Sequence, residues 1–187
     1  HAVHLTPVEI ALLAQQACHV VHCPTSNLKL ASGIAPCAAL LQAGVNVALG
    51  SDGAASNNRL DMFAEMRLAA LLAKGSSGQA DVVPAHQALT MATLNGARAL
   101  GLDDEIGSLE VDKAADIVAV DLSSVETSPC YDVASHLVYA ASREHVSHVW
   151  VAGKMLLENR VAPNLDLESI RATTQTWRDK IAQRKLS

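Results

Sequence analysis

The run from Val45 to Asn58 (Val-Asn-Val-Ala-Leu-Gly-Ser-Asp-Gly-Ala-Ala-Ser-Asn-Asn) limits the fold more than any other stretch of the chain. It opens as a short apolar segment with helical patterns on both sides, as expected of a parallel strand buried on both faces. It breaks at Gly50 and offers a single carboxylate, Asp52, ahead of a loop of small residues. A carboxylate at the C-terminal end of a parallel strand lies on the face where α/β barrels do their chemistry. The same position also suits a cap on the following helix, where Asp is a favoured residue. The small residues after it let backbone or ligand approach closely.

The flanking sequence repeats this strand-to-helix order. His1 to Leu5 reads as a strand or its end, and Thr6-Pro7-Val8-Glu9 as a helix start with a capping box. Cys18 to Cys23 returns to strand character, Pro24 to Ala35 reads as a polar loop, and Pro36 to Ala43 as a short helix closed by Gly44. A helix is predicted from Asp61 to Lys74, ending at Gly75, then a small-residue linker to Val83 and helices over 84–94 and 97–100. Alternating strands and helices predict right-handed βαβ units around a parallel sheet. The period then changes. Ala115 to Asp121, Val146 to Val151 and Met155 to Glu158 read as strands, the last two joined by an Ala152-Gly153-Lys154 hairpin signal. The tail from Leu167 to Leu186 is amphipathic, with Ile170, Trp177 and Ile181 on one side.

The chain has 187 residues, half of them hydrophobic, which suffices for one core with a small satellite domain. A net charge of −5, with no basic run and 3% aromatic residues, argues against nucleic-acid binding. No apolar run approaches the roughly 20 residues of a membrane span, and no secretory-signal pattern opens the sequence. Cys18, Cys23, Cys37 and Cys130 have neither metal spacing nor the density of a disulfide framework, so reduced thiols and a cytoplasmic location are expected. The sequence begins without Met inside an apolar run, and the expectation is the C-terminal part of a longer polypeptide.

Among polar residues, His1 and His4 are three apart, as are His19 and His22. On a strand this spacing points two imidazoles to opposite faces, so neither pair is a ready chelate, and a hydrogen-bonded core histidine is the ordinary alternative. His1 and His22 are the better candidates if each strand ends just after them. His86, His136, His145 and His148 read as structural or exposed. Cys23 beside His22 lacks an orienting third group for a thiol nucleophile.

Three motifs together, His1-Ala-Val-His-Leu5, His22-Cys-Pro-Thr-Ser-Asn-Leu-Lys-Leu-Ala-Ser-Gly33 and Gly50-Ser-Asp-Gly-Ala-Ala-Ser-Asn-Asn58, resemble the last three barrel strands of the amidohydrolase superfamily. The resemblance is strongest to the branch of 5-methylthioadenosine and S-adenosylhomocysteine deaminases with the related chlorohydrolases. It continues through Asp61 to Ala70, Met91 to Leu100 and Gly107 to Val118, with Asp112 standing where a Gly is usual. It implies an α/β fold: the last three strands of a (β/α)8 barrel over residues 1–105, part of a β-sandwich over 106–162 and a C-terminal helix over 163–187. It also implies a divalent metal, zinc or another such as Fe2+ or Mn2+. Asp52 matches the aspartate that binds metal and takes a proton from the attacking water, and His1 the histidine beside the attacked carbon. Ser56 falls in the substrate loop, and His22 joins these three as a substrate-binding candidate. The remaining metal ligands and a catalytic glutamate have no counterpart in this sequence.

The implied reaction is hydrolytic deamination of the adenine ring of 5-methylthioadenosine or S-adenosylhomocysteine. Other members, such as guanine or cytosine deaminases or triazine chlorohydrolases, are alternatives, as is a non-catalytic half-barrel. The expected partners are a purine nucleoside and the N-terminal half of the barrel; an oligomer of identical chains is compatible with the sequence. The isolated 187 residues are expected to be inactive.

Overall fold

Two four-residue strands in parallel register organise the first half of the chain in the computed structural model, which describes residues 1–184. Strand β1 (His19–His22) pairs with β2 (Asn46–Leu49), with His19 opposite Asn46 and His22 opposite Leu49. Helix α1 (Pro7–Gln15) precedes β1 and carries the capping box expected from Thr6 and Glu9. Between the strands lie α2 (Pro24–Lys29) and α3 (Cys37–Gln42); after β2 come α4 (Met62–Ser77), α5 (Ala85–Ala92) and α6 (Leu94–Leu100). Leu40, Val47, Ala70, Ala88 and Met91, from α3, β2, α4 and α5, are completely buried in one core. Small alanines at the helix contacts let these elements approach closely in a chain short of aromatic residues.

The sheet is smaller than the sequence suggests. His1–Leu5 forms no strand, so two parallel strands are present among the described residues rather than three. Ala2 has a left-handed φ of +51°, which breaks the extended run. Pro24–Lys29 is a helix, not a loop. Pro24 occupies its first turn, where the missing N–H costs nothing, and six residues are too few to show a helical period. Helix α4 runs through Gly75 to Ser77 and ends at Gly78 in a left-handed cap. The expected linker is shortened accordingly, and Lys74 Nζ clasps the Val82 and Val83 carbonyls at 2.5 and 2.8 Å.

The second half is an antiparallel sheet in the order β3 (Ile117–Val120), β4 (Val146–Val151), β5 (Lys154–Leu157). The hairpin is as expected: Ala152 and Gly153 both have positive φ, the condition of a two-residue type I′ turn, and Trp150 pairs with Met155. His148 and Trp150, two apart on β4, stack with ring centroids 5.5 Å apart. Among the described residues these strands form one three-stranded layer where the resemblance implies part of a β-sandwich. Asp112, in the turn where the resemblance leads one to expect Gly, takes φ +72°. Helix α7 (Val133–Tyr139) joins the two halves. Val138 is buried in the main core, and Arg67 of α4 donates to the Val138 and Ala141 carbonyls at 3.2 and 2.7 Å. Helix α8 (Leu167–Arg184) comes last, and Leu167, Ile170, Trp177 and Ile181 are all exposed on it. Residues 185–187 of the expected tail helix lie outside the described residues. No helix among the described residues is long and apolar enough to cross a membrane.

Gly107 ties the turn before β3 to α6. Its φ is +92°, and an added Cβ would stand 2.7 Å from Ala97 Cβ and 3.0 Å from Leu94 Cα. Gly107→Ala is therefore expected to cost about 1–3 kcal/mol in overpacking and backbone strain. Gly75→Ala, with no atom in the way, is expected to leave stability unchanged or raised. Thermal unfolding of the two variants checks the contrast.

Candidate active site

The parallel register brings the C-terminal ends of β1 and β2 side by side, and the Gly50 N–H extends the ladder by donating to the His22 carbonyl at 3.0 Å. The segments leaving the two strands then converge. Helix α2 begins at once after β1, placing Ser26 and Asn27 in its first turns above the strand ends. After β2 the chain turns through Asp52, whose φ of +58° is a conformation that Asp tolerates better than most residues. Ser26 Oγ donates to Asp52 Oδ2 at 2.6 Å, and Ser56 Oγ donates to the same oxygen at 2.7 Å. These two hydroxyls, with help from the Gly53 N–H, hold the Asp52 carboxyl below the usual carboxylate range, because each stabilises the charged form.

His1 completes the cluster. Its Nε2 lies 3.8 Å from Asp52 Oδ2, and its Nδ1 pairs with Asn27 Oδ1 at 2.7 Å. The Asn27 contact engages Nδ1 and leaves Nε2 as the ring atom turned toward Asp52. His1, Asn27 and Asp52 line a cavity of about 470 Å³ whose apolar wall includes Val3 and Leu30. The loop after Asp52 is pinned from across the site, where Lys29 Nζ donates to the Ala55 carbonyl at 2.8 Å and to Asn58 Oδ1 at 2.6 Å.

Asp52 does not cap the next helix. That position belongs to Asp61, which accepts the Phe63 and Ala64 N–H groups at 3.0 and 3.3 Å. His22 shares the inward face of β1 with Val20 and is buried, and it is not among the residues lining the cavity. Ser56 turns its hydroxyl to Asp52.

The sequence profile described as the Amidohydrolase family matches residues 1–156. The chain belongs to the amidohydrolase family. Among its relatives, a 5-methylthioadenosine/S-adenosylhomocysteine deaminase of Moorella thermoacetica is 59% identical over 172 residues, covering 92% of this chain and 40% of that protein. A protein of the same name from Teredinibacter turnerae is 50% identical, covering 99% of this chain and 42% of that one. Among solved structures, an adenosine deaminase from Xanthomonas campestris with bound zinc has a TM-score of 0.96 at 52% identity, covering 98% of this chain and 42% of that chain. An atrazine chlorohydrolase from Arthrobacter aurescens TC1 complexed with zinc has a TM-score of 0.87 at 33% identity, covering 94% and 39%. The chain thus spans about two fifths of the length of these relatives.

This amidohydrolase chain fits a divalent metal in part. Asp52 is an ionised, oriented carboxylate at the cavity wall, which is the hard oxygen donor such an ion takes. A catalytic zinc has three protein ligands and an open position, and no cluster of three or more His, Cys, Asp or Glu able to hold a metal exists among the described residues. Asp52 offers one donor of that kind, with His1 Nε2 3.8 Å from its Oδ2.

Reasoning from the sequence missed Ser26, Asn27, Asn57 and Glu65. The signal for the first two was Pro24: placed at a helix N-terminus, it puts Ser26 and Asn27 on the first turns above the end of β1. No motif or period marks Asn57 and Glu65, which pair with each other across 8 residues, while Glu65 reaches Thr25 across 40.

His22 Nδ1 is buried without a hydrogen-bond partner, and burial pushes the imidazole pKa down to about 4. Between about pH 6.5 and 4 the unfolded chain takes up a proton here that the folded chain refuses. This contribution to stability is full above pH 6.5 and is lost as pH falls toward 4, a loss of at most about 3 kcal/mol. Denaturant unfolding at pH 7 and pH 4.5 is expected to show the loss, and His22→Gln is expected to flatten it.

Proposed function

We propose that this chain forms the C-terminal part of a metal-dependent aminohydrolase that deaminates the adenine ring of 5-methylthioadenosine or S-adenosylhomocysteine. The carrying observation is the convergence of Ser26, Ser56 and His1 on Asp52 Oδ2 at the wall of one cavity. The names of the relatives at 50 and 59% identity supply the substrate class. In the reaction, water adds at C6 of the ring, the C6–N bond breaks and ammonia leaves.

A bound divalent metal, zinc in this reading, lowers the pKa of water to about 7 and so supplies a nucleophile at neutral pH. Asp52 would hold that ion and, being ionised, accept the proton of the attacking water on its carboxylate and pass it to the departing amine. Ser26 and Ser56 keep the carboxylate aimed, so that no reorientation is needed when the proton moves. His1 presents Nε2 to the same space, fixed by the Asn27 contact on its other nitrogen, and there stabilises charge developing beside the attacked carbon. Val3 and Leu30 offer apolar surface to the heterocycle or its thioether substituent. In this reading His22 is a buried support beneath the site, and the other metal ligands come from the remainder of the barrel.

The test is a full-length polypeptide carrying this chain, assayed for ammonia release from 5-methylthioadenosine, S-adenosylhomocysteine, guanine and cytosine, and for chloride release from a chlorotriazine. The highest kcat/KM is expected for the adenosine thioethers; a higher value for any other compound overturns the substrate reading. Asp52→Asn is expected to lower kcat by about 10²–10⁴-fold. Residues 1–187 alone are expected to show no turnover.

A further inference from the structure

Glu65 is a carboxylate 1% exposed on α4, in no ion pair among the described residues and placed outside the cavity lining. Charged side chains are almost never buried this completely without a specific set of partners. Its partners are two. Oε2 accepts the Thr25 backbone N–H at 3.1 Å, and Oε1 accepts Asn57 Nδ2 at 2.7 Å. Thr25 immediately precedes Ser26, and Asn57 immediately follows Ser56. The two residues that Glu65 grips are therefore the sequence neighbours of the two serines that hold Asp52 Oδ2. Asn57 is itself 1% exposed, and its Oδ1 accepts the Arg59 and Leu60 N–H groups at 3.3 Å, so that end of the grip reaches the whole β2–α4 loop.

We infer that Glu65 is a positioning residue for Asp52: one carboxylate bridges the start of α2 to the loop after β2, and so fixes both serine hydroxyls on the same Asp52 oxygen. The geometry requires a double acceptor. One oxygen meets a backbone N–H and the other an amide NH₂, so an amide at position 65 would face one of these donors with a donor of its own. Loss of hydrogen-bonded partners behind a metal ligand typically costs 10–100-fold in activity or metal affinity. Because Glu65 touches neither cavity nor substrate, the loss is expected in kcat with KM nearly unchanged.

The inference rests on the deaminase reading for its kinetic arm only. In the full-length polypeptide, Glu65→Gln is expected to lower kcat about 10–100-fold and leave KM within about twofold. In the metal-free protein it is expected to speed hydrogen exchange at the amides of Ser56 and Asn57, which donate to the Gly53 carbonyl at 3.1 and 2.9 Å. Asn57→Asp alone sets two carboxylates together and is expected to do the same. The double variant Glu65→Gln/Asn57→Asp reverses the donor and acceptor at that contact and leaves the Thr25 N–H an acceptor. It is expected to recover both kcat and exchange protection. Recovery in the double variant supports the bridge even if either single variant fails to fold. Unchanged exchange and kcat in Glu65→Gln, or a double variant no better than the singles, overturns it. If the wild-type protein deaminates none of the adenosine compounds, the function reading fails, while exchange still decides whether Glu65 braces the loop.

Discussion

Two serine hydroxyls meeting on one oxygen of Asp52 are the contact that the rest of the site depends on. Ser56 reaches Asp52 from four residues on in the same loop, whereas Ser26 comes from 26 residues before it and meets Asp52 through the parallel pairing of β1 and β2. Register matters as much as pairing. A slip of one residue would turn Val20 and His22 outward and lift Ser26 away from the end of β2. The immediate start of α2 is equally necessary, since a longer connection would let Ser26 wander. The buried core beneath, from Leu40, Val47, Ala70 and Met91, fixes the strands and helices that carry these groups. The polar contacts above it decide which way a single carboxylate faces.

Much of this was legible in the sequence, for a physical reason. Asp52 stands out because it is the single carboxylate where an apolar strand ends in Gly-Ser-Asp-Gly, although position alone suited a helix cap equally well, and the strand and hairpin around Gly153 follow from period-2 alternation and turn chemistry. The family resemblance added His1, which bare periodicity could not separate from other strand histidines. The features that stayed hidden are short or long-range. Helix α2 is too brief to show a period, so Ser26 and Asn27 passed as loop residues. The pairing of Glu65 with Thr25 and Asn57 spans 40 and 8 residues and leaves no local mark. His1–Leu5 read as a strand because apolar content alone cannot reveal the left-handed turn at Ala2.

The second half of the chain connects to the site through packing. Helix α7 contributes Val138 to the main core and is capped by Arg67 of α4, the same helix that presents Glu65. The antiparallel sheet is reached through Gly107, wedged against α6. Asn95 of α6 donates to the Val47 carbonyl at 2.9 Å, which ties this part back to the strand that delivers Asp52. Changes in the sheet or in α7 therefore act on the site through α4 and α6, as losses of stability before losses of chemistry.

The most direct measurement is a carbon-detected NMR titration of the Asp52 carboxyl in the metal-free protein, with and without Ser26→Ala/Ser56→Ala. If the two hydroxyls hold the carboxylate charged and oriented, its pKa lies below the usual aspartate value in the parent and rises toward that value in the double variant. An ordinary pKa in the parent, or a low one that the double variant leaves in place, would contradict the central role given to these two hydrogen bonds.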